Sequence, residues 1–139
     1  IKSSLYLGRS FNWERPDRIS LGYELFYNQP GYDHNIMADP TRLATLMAND
    51  LYEMNSLSQF YHALFVSINE FPWHSTSFSF NGIQNLIDYS SILYADLIYT
   101  LTEGFSLSAQ LAVYLGQKQG EYTYSGNTAS FQVASELVF

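Results

Sequence analysis

The chain has 139 residues, a length that fits a single domain, and its formal net charge is −7. An acidic chain without a cluster of Lys and Arg is poorly suited to neutralising phosphates, which excludes nucleic acid as a partner. There is no cysteine, which excludes disulfides, thiolate metal sites and cysteine nucleophiles. No run approaches the roughly 18 apolar residues with which a helix crosses a membrane.

Alternating apolar and polar residues predict about seven strands along the chain. In chain order, they lie at about residues 1–12, 19–28, 57–70, 75–82, 88–101, 105–116 and 130–139. The alternation is clearest in the sixth segment, where Leu107 and Leu111 alternate with Ser108 and Gln110. The sequence therefore predicts an all-β fold whose consecutive strands are antiparallel.

The long connection at 28–56 contains the one helical pattern in the chain. Asp39 suits an N-cap and Pro40 the first helical position, and the apolar residues that follow share one helix face: Leu43, Leu46, Met47 and Leu51. Two roles stay open for this loop. It could fold over a pore and narrow it, with Asp39, Arg42 and Asp50 as the constriction candidates, or pack on the rim and only stabilise the loop.

Short and long connections alternate between the predicted strands. The short ones are Pro-rich, Gly-rich or charged, at 14–17, 71–74 and 102–104, and the longer ones are at 28–56, 82–88 and 117–127. Such alternation is typical of transmembrane barrels, whose short turns face the periplasm and whose long loops face outside.

The residues opposite the apolar positions are mostly small and uncharged. A soluble sandwich presents Lys and Glu to water on its outer face, whereas charged residues make up only 14% of this chain and aromatic residues 17%. This composition favours a sheet with lipid on one side and a wet lumen on the other. An aromatic-rich soluble β-domain is the alternative.

The last strand resembles the closing strand of bacterial outer-membrane β-barrels, which ends on an aromatic residue recognised by the barrel-assembly machinery. Gln132, Leu137 and Phe139 fit that pattern, and Ala134 replaces its glycine. The stretch 85–108 also resembles the last hairpin of porin-like channel proteins. The resemblance implies an antiparallel up-and-down transmembrane β-barrel in the bacterial outer membrane. Its partners would be outer-membrane lipid, lipopolysaccharide and the assembly machinery.

Closure of such a barrel needs more than these strands. Seven strands counted back from Phe139 at the periplasmic edge put Ile1 on the extracellular side, whereas single-chain bacterial barrels have even strand numbers. Unpaired strand edges are not tolerated in lipid. We therefore expect residues 1–139 to be the carboxyl-terminal segment of one larger barrel domain, completed by strands before Ile1 or by another chain.

By the same analogy, the expected function is passive passage of small hydrophilic solutes through a water-filled pore. Its acidic wall would modestly favour cations or neutral solutes, because low-dielectric walls focus the potential of charged side chains. No cofactor, metal or catalytic residue is expected. The pore-lining candidates are Glu24, Asp96, Gln110, Gln132 and Glu136.

Three other functions stay open. A barrel enzyme acting on lipids would pair a histidine with Ser and with Asn or Glu near the outer rim; the histidines are His34, His62 and His74, of which His62 is expected to face the lumen or an interface. An export or assembly component would carry a periplasmic domain. A soluble binding protein would stay dispersed without detergent. The loop aspartates match no calcium-loop template: Asp33, Asp39 and Asp50.

Overall fold

The computed structural model describes residues 1–49, 51, 55–71, 73–102 and 104–137. Within them the chain forms seven strands and one α-helix, which confirms the prediction of an all-β fold with a short helix in the long loop. The strands are β1 (Lys2–Trp13), β2 (Arg15–Asn28), β3 (Phe60–Asn69), β4 (Thr76–Asn85), β5 (Ser91–Thr102), β6 (Phe105–Leu115) and β7 (Ala129–Leu137).

The strands form one sheet in chain order, and every neighbouring pair is antiparallel. The sheet is open, because the described residues of β1 and β7 pair only with β2 and β6. These residues alone therefore do not form a closed ring.

The strand register gives the sheet two distinct faces, since alternate residues of a strand point to opposite sides. One face, called here the polar face, carries mainly Ser, Gly, Asn, Gln and acidic residues, for example Ser20, Glu24, Ser79, Asp96 and Gln110. The other, called here the apolar face, carries mainly Leu, Phe, Ile and Val, for example Leu7, Leu21, Leu64, Phe80, Leu111 and Val133.

The two ends of the sheet also differ. The turn end has the connections at Glu14, 70–75 and 103–104, and the loop end has those at 29–59, 86–90 and 116–128. The alternation in length is not strict, because 86–90 is a shorter connection than 70–75. We expected a loop at 82–88, but β4 continues to Asn85, whose side-chain oxygen accepts a hydrogen bond from the Ile87 N–H at 2.8 Å and so starts a tight turn.

The helix α1 (Pro40–Ala48) begins as predicted. The Asp39 carboxylate accepts hydrogen bonds from the N–H groups of Thr41 and Arg42 at 3.1 and 3.2 Å, and Pro40 is the first helical residue. The helix packs on a 3₁₀ turn at Ile36–Ala38 in a small core at the loop end: Ile36, Met37, Leu43 and Leu57. Among the described residues, no helix combines the length and apolar character needed to cross a membrane.

Candidate functional site: the polar face and the loop cluster above it

The five pore-lining candidates all lie on the polar face. Asp96, Gln110 and Gln132 are direct neighbours in one row across β5, β6 and β7. The Gln110 amide donates to the Asp96 carboxylate at 2.6 Å, and the Ser79 hydroxyl donates to it at 3.3 Å. These side chains line an open cleft of about 290 Å³. The row is a polar strip over four adjacent strands, hydrogen-bonded from Ser79 through Asp96 to Gln110.

Between the loop end and the turn end, the charged side chains of the polar face are mostly negative. Its described acidic residues are Glu24, Asp96 and Glu136, whereas Lys2 lies at the loop end and Arg18 at the turn end. Arg9 lies on the apolar face opposite Leu21, with its guanidinium 5.2 Å from the Phe11 ring centroid. The middle of the polar face therefore carries a negative field.

Above this face, at the loop end, polar side chains that are buried except for Asn55 form a group called here the loop cluster: Asn55, Ser58, Tyr61, Asn85, Asp88, Ser90 and Glu121. It joins the three connections of that end. The Tyr61 hydroxyl donates to the Glu121 carboxylate at 2.9 Å, and the Asn55 N–H donates to the same carboxylate at 2.7 Å. The Glu121 N–H donates to Asp88 at 2.7 Å. Three loops distant in sequence are thus held together by carboxylates.

The loop cluster contains two buried carboxylates, which need compensation because burial disfavours charge. Asp88 accepts from the N–H and the hydroxyl of Ser90, at 2.7 and 2.6 Å. Burial raises the pKa of Glu121, and the negative charge of Asp88 adds to this rise. The hydrogen bonds that Glu121 accepts from Tyr61, Asn55 and Asn85 act in the opposite direction. Donated hydrogen bonds therefore offset part of the cost of burying these acids.

Part of the long loop lies over the polar face. Asn55 lines the same cleft of about 240 Å³ as Glu24, Phe26 and Ala63 of the sheet. The side chain of Asn55 accepts a hydrogen bond from the Tyr122 hydroxyl at 2.5 Å, which ties this segment to the 116–128 connection. The loop is thus placed to narrow the loop end of the polar face.

Of the predicted constriction residues, Asp39 and Arg42 are not among those that line this cleft. Asp39 caps α1 and lies 3.8 Å from the Arg42 guanidinium, and both side chains are about half exposed. Asp50 lies outside the described residues. Asn55 and Glu121, which the structure brings to the site, had no motif in the sequence, since their partners are contributed by distant strands and loops. The Asn, Asp and Ser residues at 85–90 are a sequence signal that could have predicted a tight, hydrogen-bonded turn here.

Of the three residues of the predicted assembly signal, two lie in the described part of β7. Gln132 lies in the polar row, Leu137 ends β7 opposite Phe105, and Phe139 lies outside the described residues.

The histidines do not form the arrangement of a lipid hydrolase. His34 contacts Asp33 and Arg42 in the long loop, at 2.9 and 3.5 Å, and His74 lies 3.0 Å from Arg15 at the turn end. His62 lies on the apolar face between Tyr23 and Gln84. None of these partners is a serine. Within the part of the chain that the structure describes, no three His, Asp or Glu residues are grouped to hold a metal ion.

Comparison of the chain with protein-family models, with curated proteins and with solved structures found no match.

Proposed function

We propose that this sheet is part of the wall of a transmembrane β-barrel in a bacterial outer membrane, and that small hydrophilic solutes pass along its polar face. The observation that carries the proposal is the apolar face of the seven strands, which no element within the described residues covers. Apolar patches of this extent on a protein mark a surface that meets something other than water.

The exposure of interior strands supports this reasoning most directly. Side chains on an edge strand are exposed because the strand has no neighbour on one side. The strands β2, β3 and β6, however, are paired on both sides. Even so, Leu21, Leu64 and Leu111 are 40%, 45% and 41% exposed. Among the described elements, α1 contacts only the 3₁₀ turn beside it, so no helix covers the apolar face. A bilayer would bury these side chains without any change in the sheet.

Aromatic pairs near the ends of the strands also fit a bilayer. At the turn end, the ring centroids of Trp13 and Phe71 are 5.8 Å apart, and the Arg18 guanidinium lies 4.8 Å from the Trp13 ring. At the loop end, the ring centroids of Tyr27 and Phe60 are 5.0 Å apart. Aromatic residues are enriched at both membrane–water interfaces.

The pore would filter by size and charge and would perform no chemistry. Small polar side chains leave room for water, and Glu24, Asp96 and Glu136 give the wall a negative potential. The loop segment at Asn55 would narrow the loop end. Further strands, from the same chain or from another, would complete the ring, and the barrel-assembly machinery would insert it.

A charge substitution tests this function. In planar bilayers, the full-length protein should form channels that prefer cations, and Asp96→Asn should lower the ratio of cation to anion permeability by on the order of twofold, because one wall carboxylate is removed. Asp17→Asn is the matched control: it removes the same charge at the turn end, where a backbone φ of 51° suits Asn as well as Asp. Its permeability ratio should stay that of the wild type.

Two results would contradict the proposal. One is a purified protein that stays monodisperse in plain buffer and migrates identically on a gel before and after boiling, as a soluble β-domain would. The other is a detergent-extracted barrel that inserts into bilayers without any conductance, or that hydrolyses lipid esters.

A further inference from the structure

A line of hydrogen-bonded polar side chains crosses the apolar face near the loop end. The Tyr23 hydroxyl lies 3.2 Å from His62 Nδ1, and His62 Nε2 lies 2.8 Å from Gln84 Oε1. Because an amide oxygen only accepts, Nε2 carries the proton of a neutral ring and Nδ1 accepts from Tyr23. These three side chains, one each from β2, β3 and β4, lie among the Leu and Phe side chains of the apolar face.

The amide nitrogen of Gln84 is left with capacity for another partner. It lies 3.5 Å from the Tyr89 carbonyl oxygen, which is a weak contact, and its second hydrogen has no partner among the described residues. Ser91 is the next residue in the same row of the sheet, opposite Gln84. Two neutral donors thus lie side by side at the edge of the apolar face.

A cleft of about 290 Å³ opens directly beside these donors. Its rows run from polar to apolar toward the middle of the sheet. The first row is His62, Gln84 and Ser91, and the next is Leu64, Gly82 and Leu93. Gly82 provides the depth, since a Cβ at this position would lie 3.0 Å from Leu93 Cδ2. The cleft therefore has a polar rim and an apolar floor aligned with the strands.

We propose that this cleft binds one glycerophospholipid, with an acyl chain over Gly82 and with its ester and phosphodiester oxygens accepting hydrogen bonds from Gln84 and Ser91. The inference rests on the proposed function, because the apolar face must meet lipid. The cleft lining contains no Lys or Arg, which favours a zwitterionic lipid over one with a net negative charge, because no cation of the lining would pair with that charge. Both ring nitrogens of His62 are engaged by Tyr23 and Gln84, so the site binds lipid and does not cleave it.

Native mass spectrometry of the full-length protein, released from detergent micelles with added phosphatidylethanolamine or phosphatidylglycerol, tests this site. The wild type should retain one phosphatidylethanolamine in preference to phosphatidylglycerol. Gln84→Leu should weaken retention by roughly tenfold, the effect of losing about one hydrogen bond. Gly82→Val should weaken it similarly by filling the floor.

Ala109→Val is the matched control for Gly82→Val, because it adds a side chain of similar size to the same face on β6; it should retain lipid like the wild type. If Gly82→Val does not fold, Ser91→Ala replaces it, since this change removes one oxygen only. A protein that forms channels but retains no lipid, or whose variants retain as much as the wild type, overturns this inference alone. A protein that is soluble in plain buffer overturns the proposed function as well.

Discussion

At the scale of single residues, Asn85 is the donor that both buried carboxylates share. Its amide nitrogen lies 2.7 Å from the Ser58 hydroxyl, 2.8 Å from the Glu121 carboxylate and 3.2 Å from the Asp88 carboxylate. Two amide hydrogens thus serve three acceptors, in a side chain with no exposed surface. Asn85 helps to keep Asp88 and Glu121 buried, because its neutral amide donates hydrogen bonds to both carboxylates. A carboxylate at position 85 would instead add a third negative charge.

Replacement of Asn85 by Asp should therefore destabilise the protein strongly. A third carboxylate would be buried without a cation, at a cost of about 3 kcal/mol in the free energy of unfolding. Asn81→Asp is the matched control, because Asn81 lies on the same face of β4 and is only half-buried. Denaturant unfolding of the two variants measures the difference. Equal losses of stability would show that the loop cluster does not depend on the neutral amide.

At the scale of elements, the strands and the helix followed from the sequence, but the loop cluster did not. Alternation at 105–116 predicts β6 (Phe105–Leu115) closely, and the Asp39–Pro40 pair predicts the start of α1, because both patterns are local. The facing of Glu24 and Asp96 followed in the same way. Glu121, by contrast, meets Tyr61 and Asn85 only after β3, β4 and the 116–128 connection have come together. No local pattern contains that information.

The association of these elements should depend on pH. Burial raises the pKa of Glu121 above the ordinary value of 4.5, with Asp88 contributing, so the folded protein binds this proton more tightly than the unfolded chain does. The contribution of Glu121 to stability should then be fully present below about pH 4.5 and be lost as the pH rises through the raised pKa. Denaturant unfolding across this range measures the slope.

Glu121→Gln should remove this contribution of Glu121 to the pH dependence, because the amide does not titrate. It should also lower stability, since its NH₂ group would face a donor in either orientation of the amide: the Asn55 N–H in one, Tyr61 and Asn85 in the other. A variant that keeps the full slope of the wild type would assign the pH dependence to another group.

At the scale of the whole molecule, the two faces predict opposite responses to the same substitution. Leu111 and Gln110 are adjacent in β6 and lie on opposite faces. An Arg at a lipid-facing position near the middle of a bilayer costs about 2–4 kcal/mol, whereas a lumen position tolerates it. Leu111→Arg should therefore impair insertion into lipid vesicles, and Gln110→Arg, beside Asp96, should not. The heat-sensitive gel mobility of the folded form measures insertion, and impairment by both variants alike would contradict the assignment of the faces.

The parity of the strands limits what can complete the sheet. β1 and β7 both run from the loop end to the turn end, so the two open edges point in the same direction. An antiparallel ring that includes them needs an odd number of further strands. A second copy of these seven strands can pair antiparallel with them only when turned end over end, which would place its loops beside the turns of the first copy. Under the proposed function every copy enters the membrane with the same orientation, so that arrangement is closed to identical chains, and the odd number of strands that completes the ring must come from sequence other than these seven strands.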